Sequence, residues 1–262
     1  MSIITLTTDF GLKDGYVGVV KGVILGICPP VRIIDLSHFI APQNVLEAAL
    51  TLGRTARFFP AGTVHVAVVD PGVGTIRRPI AARIGEQFFI GPDNGIFSVV
   101  LKQADDEGWK YAFRHLDDPA FWLKEVSNVF HGRDIFAPCA AHLASGVPFE
   151  QLGSPMDDPI RLRIPEPRKT AQGWQGEVLH VDSFGNLATN ITAEMVGMST
   201  NMKVRCGGAV ISGIVRAYGE RQTGELVALE DSAGLLSIAV VNGSAAQRLK
   251  ANLGTLVEIT YS

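Results

Sequence analysis

The feature that most constrains this 262-residue chain is the run Thr-Val-His-Val-Ala-Val-Val at residues 63–69. A nearly unbroken, valine-rich run of this kind predicts a strand covered on both faces, as in a sheet flanked by helices. It empties into Asp70-Pro71-Gly72-Val73-Gly74, a loop dense in turn formers, so an acid stands at the carboxyl end of a buried strand. Such an acid is expensive to bury without a purpose, although the first residue of an ordinary turn is its bland reading. On either side the pattern alternates. A strand at 3–7 precedes a helix that Pro29-Pro30 closes, and a strand at 31–35 precedes a helix at 45–58 with Val45, Ala48, Ala49 and Leu52 on one face. A strand pair at 80–83 and 87–90, a short helix at 94–101 and another at 134–144 continue the series. The alternation predicts an α/β domain with a largely parallel sheet.

The character changes across residues 155–171, which hold four prolines and the charged stretch Pro165-Glu166-Pro167-Arg168-Lys169. This predicts a linker at 165–173 between an α/β domain at 1–164 and a smaller domain at 174–262. Short strands at 176–181, 203–205, 210–215, 226–229, 235–241 and 256–260 make the second domain all-β, of barrel or sandwich type.

Lys plus Arg total 23 against 26 Asp plus Glu, so no basic surplus draws the chain to nucleic acid or anionic lipid. Its apolar runs are too short to span a bilayer. Cys28, Cys139 and Cys206 are scattered, without metal-ligand spacing, and suit a reduced compartment. With no basic head or cleavage signal before the strand at 3–7, a soluble cytoplasmic protein is expected.

In open α/β sheets, ligands bind beyond the carboxyl ends of the strands. The polar loops at 9–14, 70–77 and 130–134 lie there. None is a phosphate cradle: no Gly-x-Gly-x-x-Gly or Walker loop occurs. Asp9 and Asp14 read equally well as turn and cap residues or as ligand groups. Arg77 and Arg78 read as surface charges or site residues. His131, beside Gly132 and just before a helix start, is the most suggestive of the six histidines, whereas His65 reads as a strand histidine. Asp182 and Asn186 fit a hairpin better than a site. Local pattern thus gives a polar site and no substrate.

In order, these loops resemble the SAM hydroxide adenosyltransferase family, related to bacterial fluorinase and chlorinase. The resemblance rests on Thr7-Thr8-Asp9-Phe10-Gly11 with Asp14, Asp70-Pro71-Gly72-Val73-Gly74 with Arg77, and Gly91-Pro92-Asp93-Asn94-Gly95. It continues through Phe130-His131-Gly132-Arg133-Asp134-Ile135-Phe136-Ala137-Pro138, Asp182 with Phe184-Gly185-Asn186, and Ser232 with Gly234-Leu235-Leu236-Ser237-Ile238-Ala239. It implies a homotrimer holding S-adenosyl-L-methionine (SAM) between subunits and cleaving it with water to adenosine and L-methionine, with no cofactor or metal. By resemblance, Asp70, Arg77 and His131 hold the water, and Asp9 takes the ribose hydroxyls. Asp14, Asp182 and Ser232 contact the methionine end, Asn186 contacts adenine, and Phe184 and Tyr218 wall the ring. The fluorinase differs in having a Tyr at Asp70, a Thr at Arg77, a halide-contacting Ser at Gly132, a Trp at Gln43 and an Arg at Ala233. Two other readings are a chloride-using SAM halogenase and a non-catalytic SAM- or adenosine-binding protein.

Overall fold

A computed structural model describes residues 2–197 and 201–261, and in it the valine-rich run is a strand buried along its whole length. The chain divides into two units, Met1–Ile164 and Pro165–Ser262. The first comprises β1 (Ile3–Thr8), α1 (Tyr16–Ile27), β2 (Arg32–Ser37), α2 (Val45–Thr55), β3 (Val64–Val68), β4 (Pro79–Ile84), β5 (Gln87–Pro92), α3 (Ser98–Glu107), β6 (Tyr111–His115), α4 (Ala137–Ala144) and β7 (Ser154–Met156). Its sheet has the order β2-β1-β3-β5-β4-β6-β7. Pairing is parallel from β2 through β5, and antiparallel where β4, β6 and β7 are added.

Both faces of this sheet are covered, which is why β3 reads as a continuous apolar run. Val64, Val66 and Val68 pack with Val20 and Ile24 of α1 and Cys139 and Ala140 of α4. Ala67 and Val69 face the other way, onto Ala48 and Leu52 of α2 and Leu101 and Ala104 of α3. The one polar member, His65, stacks on Phe89 at 4.9 Å and pairs through Nδ1 with the Thr5 hydroxyl at 2.8 Å. Burial pushes its pKa down to about 4, so it sits in the core as neutral imidazole.

Three helix boundaries differ from expectation. α2 gives way at Ala56–Phe58 to a single tighter turn. The helix expected at 94–101 starts only at Ser98 and continues to Glu107. Asn94 is instead a bracket: its amide donates to the Val69 carbonyl at 2.9 Å and its oxygen accepts the Ile96 N–H. The helix expected at 134–144 opens with a π-helical turn over Gly132–Phe136, a widened geometry that clusters at functional sites.

The second unit contains β8 (Arg168–Thr170), β9 (Gly173–Val181), β10 (Leu187–Thr192), α5 (Ala193–Val196), β11 (Met202–Cys206), β12 (Ala209–Ser212), β13 (Leu226–Glu230), β14 (Leu235–Val240), α6 (Ala245–Leu249) and β15 (Leu256–Tyr261). The strands pair antiparallel in the order β12-β11-β15-β9-β10-β14-β13, with β8 on β9. A bridge between Val215 and Leu229 brings the chain beyond β12 onto β13, so the sheet nearly closes as a barrel. Its interior holds Val178, Leu187, Ile191, Val204, Ile238, Val257 and Ile259. β8 falls within the expected linker, as an edge strand of this unit. Among the described residues, no helix is long and apolar enough to cross a membrane.

Candidate active site

Asp70 is reached one residue beyond the Val69 end of the β3 run. Two successive turns, Val73 N–H to the Asp70 carbonyl and Thr75 N–H to the Gly72 carbonyl, fold the chain back on itself. Gly74 is required in this loop: it has φ +76°, and a Cβ there would lie 2.2 Å from the Asn128 carbonyl oxygen. The loop is therefore pressed against the backbone that leads to His131.

The turns return Arg77 to Asp70. Its Nε donates to Oδ1 at 3.0 Å and its Nη2 to Oδ2 at 2.5 Å, the two-pronged pairing that guanidinium and carboxylate geometry favours. The two side chains are only 8% and 6% exposed. The guanidinium also lies over the Phe136 ring, 5.2 Å from its centroid.

Nη2 of Arg77 is also 2.8 Å from His131 Nδ1. A guanidinium carries only donors and keeps its charge, so Nδ1 must accept. That fixes His131 as neutral imidazole with its proton on Nε2. Its pKa is lowered in agreement: burial is the largest cause and the Arg77 charge the next, outweighing the opposing pull of Asp70 and Asp134. Arg77 thus joins the acid and the imidazole, although the three come from two loops far apart in sequence.

His131 opens the π-helical turn, and the residues around it fix its backbone. Asp134, fully buried, accepts the Ser127 N–H at 2.8 Å and Arg133 Nε at 2.5 Å. Gly132 is confined, since a Cβ would sit 3.3 Å from the Phe10 ring and 3.5 Å from Phe130 and Val68. Phe10, Tyr16 and Phe130 pack edge to face with centroids 5.3 to 6.1 Å apart. The Asp9 loop therefore touches the His131 turn through Phe10.

Asp9 itself accepts the Gln43 N–H on Oδ2 at 2.9 Å. Gln43 adopts φ +65°, a left-handed conformation that costs a non-glycine residue free energy and tends to be held at functional sites. Asp14 is exposed on the bend before α1. Arg78 is drawn away to buried Asp93 and to Asp158, and Asp93 also accepts the Ile160 N–H. The Asp93-Asn94 pair of the Gly91–Gly95 motif is therefore structural.

In the second unit a cavity of about 520 Å³ is lined by Asp182, Phe184, Asn186, Tyr218 and Asn242, among others. Asp182 organises its turn: Oδ1 accepts the Phe184 and Asn186 N–H groups at 2.9 and 2.8 Å, and Oδ2 accepts Asn186 Nδ2 at 2.8 Å. Asn186 is thereby oriented, with its Oδ1 left as an acceptor. Phe184 is 77% and Tyr218 45% exposed, so two aromatic surfaces remain open. Burial, reinforced by the Asp182 and Asp231 carboxylates, raises the pKa of the Tyr218 phenol. Ser232 is exposed on the β13–β14 turn and does not line this cavity. That turn is held by Asp231, which accepts the Ala233 and Leu235 N–H groups. Asn242 and Asn128 escape sequence reasoning, and the partners of Asp231 and Asp134 do too, because only the fold reveals them. Among the described residues, no group of three or more His, Cys, Asp or Glu side chains is arranged to hold a metal ion.

An α/β unit with an acid–guanidinium–imidazole cluster at its strand ends, followed by a β unit with an aromatic-walled cavity, defines a two-domain class. Residues 4–153 match the SAM hydroxide adenosyltransferase N-terminal domain and residues 176–258 its C-terminal domain, and the chain belongs to this family. It is 38% identical over 260 residues to a protein of Salinispora arenicola named (R)-S-adenosyl-L-methionine hydrolase, covering 98% of this chain and 97% of that one. It is 29% identical over 294 residues to a fluorinase of Nocardia brasiliensis, covering 98% and 97% respectively. A crystal structure of a conserved protein from Thermotoga maritima superimposes with a TM-score of 0.90 at 40% identity, covering 98% of this chain and 99% of that one.

Proposed function

We propose that this protein hydrolyses SAM to adenosine and L-methionine by in-line attack of water or hydroxide on the ribose 5′ carbon. The observation that carries the reading is the Asp70–Arg77–His131 cluster, in which one guanidinium fixes both partners. The relatives named as hydrolases support it.

The sulfonium already carries the charge that makes sulfur depart as a neutral thioether, so the reaction needs neither a general acid nor a metal, and we propose none. The new bond joins the water oxygen to C5′, the C5′–S bond breaks with its electron pair going to sulfur, and the water's proton passes to the Asp70 carboxylate and from there to solvent. Water is a weak nucleophile, so holding it in line opposite sulfur supplies much of the acceleration. Asp70 retains lone pairs beyond those used by Arg77 and accepts from the water. His131, with Nδ1 engaged, presents Nε2–H as a donor to the water oxygen and to the hydroxide character it develops. A chloride-using halogenase would instead need room for a bare anion, which this carboxylate disfavours.

Asp9 receives the ribose hydroxyls on its remaining oxygen, and Asn186 reads the adenine edge between Phe184 and Tyr218. Asp14, Asp182 and Ser232 serve the methionine end. The enzyme works in the cytoplasm as a homotrimer with SAM held between subunits. The exposed Val19 and Leu25 of α1, with open space beside Gly18, Gly22 and Gly26, give an apolar face suited to another copy.

Incubation with SAM in oxygen-18 water tests the reaction. The heavy oxygen is expected in the adenosine 5′-hydroxyl. A 5′-chloro-5′-deoxyadenosine product in high chloride, or SAM binding without turnover, would overturn it.

A further inference from the structure

His38 lies just past β2, and because β2 runs parallel to β1, with Ser37 opposite Thr7, it arrives beside the loop that carries Asp9. It is only 4% exposed, and the chemistry above does not use it. An imidazole removed from water needs partners. Nδ1 is 2.8 Å from Thr8 Oγ1. Nε2 is 3.0 Å from Asp35 Oδ1, a close polar approach rather than a well-aligned hydrogen bond. Asp35 also accepts Lys21 Nζ at 2.6 Å.

A carboxylate beside Nε2 favours the proton on that nitrogen, which leaves Nδ1 to accept the Thr8 O–H. The Thr8 oxygen in turn accepts the Phe10 N–H at 3.2 Å. The carbonyl of His38 accepts the Gly11 N–H at 2.7 Å. One residue therefore holds both sides of Asp9, Thr8 before it through the ring and Gly11 beyond it through the main chain, with Phe10 held through Thr8. With Oδ2 of Asp9 taken by the Gln43 N–H, the other oxygen is left at a defined place.

We propose that His38, backed by Asp35, is the positioning residue that aims the Asp9 carboxylate at the ribose hydroxyls of SAM. The inference rests on the ribose role proposed for Asp9.

The test compares SAM with its 2′,3′-dideoxyribose analogue, which lacks both ribose hydroxyls, as substrates. His38→Ala is expected to raise KM for SAM about tenfold, the scale of one hydrogen bond to a charged group. It leaves KM for the dideoxy analogue within about twofold, because that analogue lacks the hydroxyl contact. His38→Asn, which keeps an acceptor near the Nδ1 position, restores most of the loss. Asp35→Asn, at an exposed site, gives a smaller shift in the same direction and serves if His38→Ala does not fold. In the Asp9→Ala background His38→Ala adds nothing further, since coupled residues are not additive. Equal KM changes for both substrates, or independent multiplication of the two mutations, would overturn the positioning role while leaving the ribose role intact. Asp9→Ala keeping full preference for SAM over the dideoxy analogue would instead overturn the ribose role, and this inference with it.

Discussion

Replacing Arg77 with Lys keeps the positive charge and removes the geometry, so it isolates what the guanidinium does. Arg77 makes two bonds to Asp70 and one to His131 Nδ1. A single ammonium on a flexible stem can satisfy one carboxylate oxygen but cannot span the carboxylate and the imidazole together. Two charge-assisted bonds are therefore lost or rerouted, each worth about 1.5–3 kcal/mol, and partial replacement by the ammonium brings the net loss of stability to about 2 kcal/mol. The effect on turnover has a different origin. With Asp70 and His131 no longer locked together, the nucleophile's two anchors drift relative to C5′, and a displacement of about 1 Å costs on the order of 100-fold in kcat. KM is expected to stay within about threefold, because Arg77 contacts none of the proposed SAM-binding groups. Product chromatography over a range of SAM concentrations, with urea unfolding of the same preparation, measures both quantities. Retention of kcat within threefold despite a lowered urea midpoint would refute the claim that Arg77 works by joining the two anchors. So would a loss expressed wholly in KM. The pH profile supplies a further check. Protonating Nδ1 of His131 would set an imidazolium against Arg77, so activity is expected to fall only below the ordinary histidine value, in line with the lowered pKa.

His65 links stability to pH. With a folded pKa near 4 against an unfolded value of 6.5, the unfolded chain binds the extra proton between these limits, so its contribution is complete above 6.5 and lost as pH falls toward 4. Stability is expected to drop by about 2 kcal/mol between pH 7 and pH 5 from this residue, and urea titrations of His65→Asn should show that part of the slope missing. Gly74→Ala would drive a methyl into the Asn128 carbonyl, 2.2 Å away, in a left-handed backbone conformation. A kcat loss of about tenfold or more is expected while SAM binding, measured by calorimetry, persists, because the collision displaces the Asp70 loop from the His131 segment. Asn186→Ala removes an amide that lines the second unit's cavity and should weaken adenosine binding by about tenfold in calorimetry, with inosine affected less.

What could be read from the residues depended on how local the cause was. β3 was legible because both faces of the sheet are covered and every position must be apolar. β10 was not, because its polar residues are satisfied from a distance: buried Thr189 donates to the Leu236 carbonyl, and Asn190 accepts the Glu177 N–H. The start of α3 differs because Asp93 and Asn94 look like caps and act as brackets to Arg78, Val69 and the 158–160 segment. The acid at the end of the buried strand was marked by its position. Its grouping with Arg77 and His131 came from resemblance and not from local pattern, since the contact depends on Gly74 meeting Asn128 in the folded chain. His38, flanked by Ser37 and Phe39, has no periodicity to betray it, and only the parallel register of β1 and β2 brings it to Thr8.

Asp182 shows the same division from the other side. Local pattern favoured a hairpin residue, whereas resemblance gave it a ligand contact. Its oxygens accept three bonds from its own turn, one of them fixing the amide of Asn186. A carboxylate so engaged still carries charge beside Tyr218, whose phenol pKa is raised first by burial and then by the Asp182 and Asp231 carboxylates. It also holds Asn186 in one orientation, and an amide free to rotate would present donor and acceptor alike to the adenine edge proposed for it. The residue that aims and the residue proposed to bind stand side by side in one motif, and only the hydrogen bonds of the folded turn tell them apart.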